Sequence, residues 1–241
     1  YMDGIVGSLR LGWNAMLFKE NAYEEMRLSA SPVVKGLILI IVVGVIIALF
    51  GLVGTAVEIA SMPDPGAIRG IVERNLAQMP FWDEIERQDP GALKRFQQIF
   101  DTVWQIVETA TPSIGGAALG IVGVPLALVI RWLIYGLVAY IFARWLGGTG
   151  NLSETLGVLA LSVAPQVLTI LTLLPFVQMG SVVNVWGILC AYFGLKVAHK
   201  LTWGRAVWAA LLPFILAYAI LFLLACLGTA ILGAVIRGGL S

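Results

Sequence analysis

Residues 155–195 run for 41 positions without one Asp, Glu, Lys or Arg. As a straight α-helix rising about 1.5 Å per residue, that run would be roughly twice as long as the ~30 Å hydrocarbon core of a bilayer is thick. It must therefore turn, and the cluster of Gln178, Gly180, Ser181 and Asn184 marks the place. Three further apolar stretches flank this pair. Residues 36–57 carry no charge, residues 115–143 are interrupted only by Arg131, and a last stretch begins near Ala206, carries Pro213 in its first turns and runs out before Arg237. Hydrophobic residues make up 59% of the chain and charged residues 12%, about half the charged share of a soluble domain. Without water in the hydrocarbon, each crossing must satisfy its own backbone N–H and C=O groups, which a helix does. The expected fold is all-α, a polytopic membrane helical bundle of about five transmembrane helices forming one domain over residues 1–241, and not a soluble enzyme.

Charge at the span ends sets the expected orientation. Arg10, Lys19, Arg27 and Lys35 precede the first span, Arg144 ends the second, and Lys196, Lys200 and Arg205 fill the connection from fourth to fifth. Five alternating spans put these groups on one side, while the segment 61–113, where acids outnumber bases, falls on the other. The N-terminus is accordingly expected in the cytoplasm, with segment 61–113 as an extracytoplasmic helical insert and the C-terminus outside. Met2, after Tyr1, reads as a start residue, and no cleavable leader is expected. Within residues 1–32, Ile5, Leu9, Trp13, Met16 and Leu17 stand near helical spacing and suggest an amphipathic helix lying on the cytoplasmic interface. Asn21 with Glu24 suggests a capping box opening a second short helix, which Pro32 ends. In the insert, Asp64-Pro65 and Asp89-Pro90 each pair an N-cap with a proline at the first helical position. Leu93, Phe96, Phe100, Val103 and Val107 then form an apolar seam, either folded back on the protein's own outer helix or offered as a docking face.

The chain offers little catalytic chemistry. His199 is the single histidine, beside Lys200 at a span edge, where a solvated ring is expected and a two-histidine metal site is not available. Ser113 falls at the opposite edge, about a bilayer thickness from His199, too far to be its nucleophile. Gly147, Gly148 and Gly150 are not followed by the Lys-Ser or Lys-Thr of a phosphate loop, and read as a tight connection between helices. Cys190 and Cys226 fall inside apolar runs. No cofactor and no metal is implied, and nucleic acid is not a partner. Arg131 is the one charge deep in a span, where a lone cation costs at least about 2.5 kcal/mol. Counted from the span ends, Gln166 reaches the same depth, and Pro165 frees the carbonyl of Leu161. A clasp of Arg131 to Gln166 and exposed carbonyls is expected, with Glu58 as the alternative charge partner and a substrate or ion site as the other reading of the same residues.

The stretch Arg144-Trp145-Leu146-Gly147-Gly148-Thr149-Gly150-Asn151-Leu152-Ser153-Glu154-Thr155, with Ala164-Pro165 after it, resembles the signature region of the Yip (Ypt-interacting protein) integral membrane domain family. The order of features, from about Trp13 to Leu227, is similar to that of its prokaryotic branch: an amphipathic start, one span, a helical loop and four more spans. The Asp-Leu-Tyr-Gly-Pro element of eukaryotic members is absent, and Asn21 stands where prokaryotic relatives often have proline. That absence argues against the Rab-type GTPase binding known for eukaryotic members. The resemblance implies a non-enzymatic protein of a prokaryotic cytoplasmic membrane, a scaffold or accessory subunit whose partners are the lipid bilayer and other integral membrane proteins or further copies of itself. The alternative is a small transporter or channel component with a polar site around Arg131.

Overall fold

The computed structural model describes residues 2–63, 65–79, 91–174 and 176–238. In chain order these form α1 (Met2–Met16), α2 (Glu20–Arg27), α3 (Pro32–Ser61), α4 (Pro65–Ala77), α5 (Ala92–Ala110), α6 (Ile114–Trp145), α7 (Leu152–Ala160), a 3₁₀ helix (Leu161–Leu173), α8 (Gly180–His199) and α9 (Trp203–Gly238). Among the described residues there is no strand. Five helical stretches are long and apolar enough to cross a membrane: α3, α6, α7 continued by the 3₁₀ helix, α8, and α9 as far as Ala230. The chain is a multi-pass membrane protein built as an all-α bundle, as its apolar runs require.

Local chemistry moves several boundaries. Pro32 does not end α2, which stops at Arg27; it opens α3, at the first-turn position where a missing N–H costs nothing. Asn21 is no N-cap, because α2 begins at Glu20 with Lys19 before it and no side-chain cap. Gly180, Ser181 and Asn184 belong to α8, and of the expected turn residues Gln178 alone lies between the 3₁₀ helix and α8. Pro65 opens α4 as expected, whereas Asp64 and Asp89-Pro90 lie outside the described residues.

The chain divides into two compact units, one of Tyr1–Phe50 with Ile121–Ser241 and one of Gly51–Gly120. In the first, α8 is the central element, packed against α1, α2, α7, the 3₁₀ helix and α9. Without a hydrophobic drive between helices in lipid, small residues let backbones approach. A Cβ on Gly44 of α3 would stand 2.7 Å from Pro125 Cα of α6, so that crossing needs glycine. The packed core lies toward the end where α6 joins α7: Val158, Leu159, Ala160 and Leu161 are fully buried, and so are Leu195 of α8 and Ala206 and Ala209 of α9.

The N-terminal hairpin contributes Leu11, Ala15, Tyr23 and Met26 to this core. In α1 it is Ser8, Leu11, Gly12, Ala15 and Met16 that face inward, while Val6, Leu9 and Trp13 are exposed. The last carbonyls of α1, left without partners in their own helix, receive bonds from elsewhere. Tyr23 Oη donates to the Ala15 carbonyl (3.0 Å), Trp186 Nε1 to that of Met16 (2.9 Å), and Cys190 Sγ approaches Ala15 O at 3.6 Å. Phe18, at φ 56, turns the chain into α2 and stacks on Trp186. Burial, with Cys190 beside it, pushes the Tyr23 phenol far above its ordinary pKa.

From Leu161 onward the third span winds as 3₁₀, with Pro165 inside. Proline cannot donate to the carbonyl four residues back, and tighter winding raises the rise to about 2.0 Å per residue. Hydroxyls bond back by three residues along it: Ser162 to Leu159, Thr169 to Gln166 and Thr172 to Thr169, all at 2.6–2.7 Å.

In the unit Gly51–Gly120, α4 and α5 are joined through Arg69. Its guanidinium bonds Glu73 (2.8 Å) and Asp101 (2.5 Å) and stands over the Phe100 ring at 5.9 Å. These acids, the hydrogen bond to Glu73 foremost, hold the Arg69 pKa above its ordinary value. The aromatic line runs Phe96, Phe100, Trp104, with centroids 6.1 and 5.8 Å apart. Trp104 is buried, whereas Val103 and Val107 of the expected seam are exposed.

Candidate functional site

Two places gather the side chains with chemistry to offer. The first is the loop between α6 and α7. Gly147, at φ +90, closes α6 in the left-handed conformation that glycine adopts without a Cβ penalty, and Gly148 N–H returns to Ala143 O at 2.9 Å. Arg144 Nη1 donates to Gly148 O at 3.1 Å. Thr149 N–H then donates to the carbonyl of His199 at 3.2 Å, stitching the loop to the end of α8. Asn151 and Glu154 form a reciprocal capping box that opens α7.

His199 is wholly buried under this loop, which overturns the expectation of a solvated edge histidine. Its Nε2 lies 2.8 Å from Thr155 Oγ1, and Thr155 donates its own hydroxyl proton to Asn151 O at 2.7 Å. Thr155 therefore accepts, and Nε2 carries the ring proton. Nδ1 is left an acceptor with no hydrogen-bond partner among the described residues, against Gly148, where a Cβ would come within 2.6 Å. The glycines at 148 and 150 are thus the space in which the ring sits. Nothing about His199 alone foretells this in the sequence; the small residues at 148 and 150 are the trace it leaves.

The second place is a cavity of about 370 Å³ between α6, the 3₁₀ helix, α8 and α9. Trp132, Val163 and Ala191 form its buried floor. Trp132 Nε1 donates to Leu156 O (2.9 Å) and Tyr135 Oη to Ala210 O (3.0 Å), so α6 is fastened to α7 and to α9 on either side of it. Arg131, Asn184 and Tyr218 line it and are exposed, giving it a mouth. The expected clasp is not the one made. Gln166 Nε2 donates to Asn184 Oδ1, at a long 3.5 Å, and Arg131 has no hydrogen-bond or ion-pair partner among the described residues. Asn184, the partner of Gln166, lines the same cavity as Arg131; the sequence marks it as turn material and the structure places it in α8.

The remaining sequence-marked residues fall elsewhere. Pro165 is buried in the 3₁₀ helix. Glu58 is exposed on α3 in the unit Gly51–Gly120, which also holds Phe96 and Phe100, both half-buried. Ser113, at the start of α6, accepts from Gly116 N–H at 3.0 Å and so serves as a cap. Among the described residues no group of three or more His, Cys, Asp or Glu is placed to hold a metal ion.

No curated protein and no solved structure matches the chain. The Yip1 domain family model matches residues 13–224, from within α1 to well into α9 and across the whole Gly-Gly loop, and the chain therefore belongs to that family.

Proposed function

We propose that this protein is a non-enzymatic membrane component, a scaffold or accessory subunit that binds other membrane proteins through its span surfaces. The observation that carries the reading is the asymmetry of α9. Its first turns bury Ala206, Ala209, Ala210 and Pro213, yet residues 215–230 are exposed at every position. The same holds for much of α6, where Leu119, Val122 and Ile134 point outward and Gly123 meets nothing within 4 Å of a Cβ position. Large apolar side chains with an open glycine between them suit lipid or the close approach of a partner helix. Family membership supports a membrane-organising role, since the family's members are membrane proteins that interact with other proteins. Isolation in mild detergent or nanodiscs from the native membrane, with identification of co-purifying proteins, tests it: stoichiometric membrane-protein partners or a homo-oligomer are expected, and a monomer recovered alone at native abundance would overturn it.

The second reading, a transporter or channel component, draws on the cavity beside Arg131. Flux through reconstituted vesicles that disappears in Arg131→Met while the fold survives would favour it over the scaffold.

A further inference from the structure

The cavity between α6, α8 and α9 has an unbalanced charge. Arg131 is permanently cationic, lies midway along a 32-residue apolar helix, and has no ion-pair partner among the described residues. None of the residues lining the cavity is acidic. The other polar groups lining the cavity are neutral: with its Oδ1 accepting from Gln166, Asn184 keeps Nδ2 as a donor, and Tyr218 adds a hydroxyl. The Ser162 hydroxyl proton is already committed to Leu159 O. Neutral groups leave the cationic charge uncompensated, and in apolar surroundings an anion beside it is favoured. Ile188, Leu211 and Phe214 make the walls apolar, so the space behind the charge suits hydrocarbon and not a hydrated ion.

We propose that this cavity binds a single-chain anionic amphiphile, a carboxylate or phosphate head on an acyl chain, with the head on Arg131 and Asn184 at the mouth and the start of the chain against Leu211, Phe214 and Ile188. The volume, about 370 Å³, lies at the small end of ligand pockets and has room for a head with the first part of one chain, the rest of which reaches out into the bilayer. Entry is sideways from the bilayer, between α6 and α9, where Arg131 and Tyr218 are exposed. The site is independent of the scaffold reading, since a resident amphiphile is compatible with a protein that transports nothing.

The test is equilibrium binding to the purified full chain in an uncharged detergent, with four probes: oleate, oleoyl lysophosphatidate, oleyl alcohol and inorganic phosphate. At least one of the two anionic amphiphiles should bind saturably at one site per chain, about tenfold or more tighter than oleyl alcohol, as a charge-assisted head contact requires. Inorganic phosphate should not displace it. Arg131→Met should reduce the anionic probe to the affinity of the alcohol, and Arg131→Lys should keep most of the preference. Leu211→Trp, which fills the cavity and leaves the charge, should abolish binding of all three amphiphiles; it and the wild-type head-group comparison carry the test if Arg131→Met does not fold. Equal binding of oleate, lysophosphatidate and oleyl alcohol, displacement by inorganic phosphate, or unchanged binding in Arg131→Met or Leu211→Trp would overturn the proposal.

Discussion

Gly147 and Gly148 are neighbours in the sequence with different reasons to be glycine. At 147 the reason is backbone: φ is +90, and a side chain there costs about 1 kcal/mol. At 148 the reason is space, since a Cβ would fall 2.6 Å from His199 Nδ1 and 2.7 Å from Ala143 O, both in the packed end of the bundle. Overpacking of that kind costs about 1–3 kcal/mol. Gly148→Ala should therefore lower the midpoint of thermal unfolding in detergent more than Gly147→Ala does, and the opposite order would show that His199 yields easily. The family motif exposes these glycines to a reader of the sequence, but not their division of labour, which depends on a ring fifty positions away.

At the scale of the element, the apolar runs reveal where helices cross because hydrocarbon thickness fixes their length. They reveal much less about which face turns inward. In α1 the apolar spacing of Ile5, Leu9 and Trp13 falls on the exposed face, while Leu11 and Met16 pack inward together with the small residues Ser8, Gly12 and Ala15. The α5 seam erred differently. Alternating steps of three and four led to Val103 and Val107, while the ring contacts follow steps of four through Phe96, Phe100 and Trp104. Phe100→Asp breaks the stack and puts a carboxylate beside Asp101, so limited proteolysis of the full chain should cut α4 and α5 about tenfold faster. Val103→Asp, at a position 51% exposed, should leave the cutting rate near wild type. Equal protection of both variants would show that the stack does not hold α5.

For the whole molecule, the expected topology rests on charge. Arg144, Lys200 and Arg205 gather at the end where α6 joins α7, while Gln97 sits in the acid-rich segment. With Cys190 and Cys226 replaced by alanine, a cysteine at Gln97 should react with an impermeant reagent applied to intact cells, and one at Ser153 only after the membrane is opened. Both positions are exposed, so failure to label reports sidedness and not burial. The reverse pattern would invert the protein.

The seating of α1 also sets an order of events during synthesis. Trp186 holds Met16 O, and Cys190 reaches Ala15 O, across 170 and 175 positions of sequence. At ordinary rates of elongation the ribosome needs roughly 10–30 s to travel that far. Throughout that interval the Ala15 and Met16 carbonyls have Tyr23 as the side-chain partner near them in sequence, and α1 waits on α8 for its last contacts. A nascent chain released before α8 emerges lacks the Trp186 and Cys190 contacts that seat the end of α1, so truncation upstream of α8 is felt at the opposite end of the sequence.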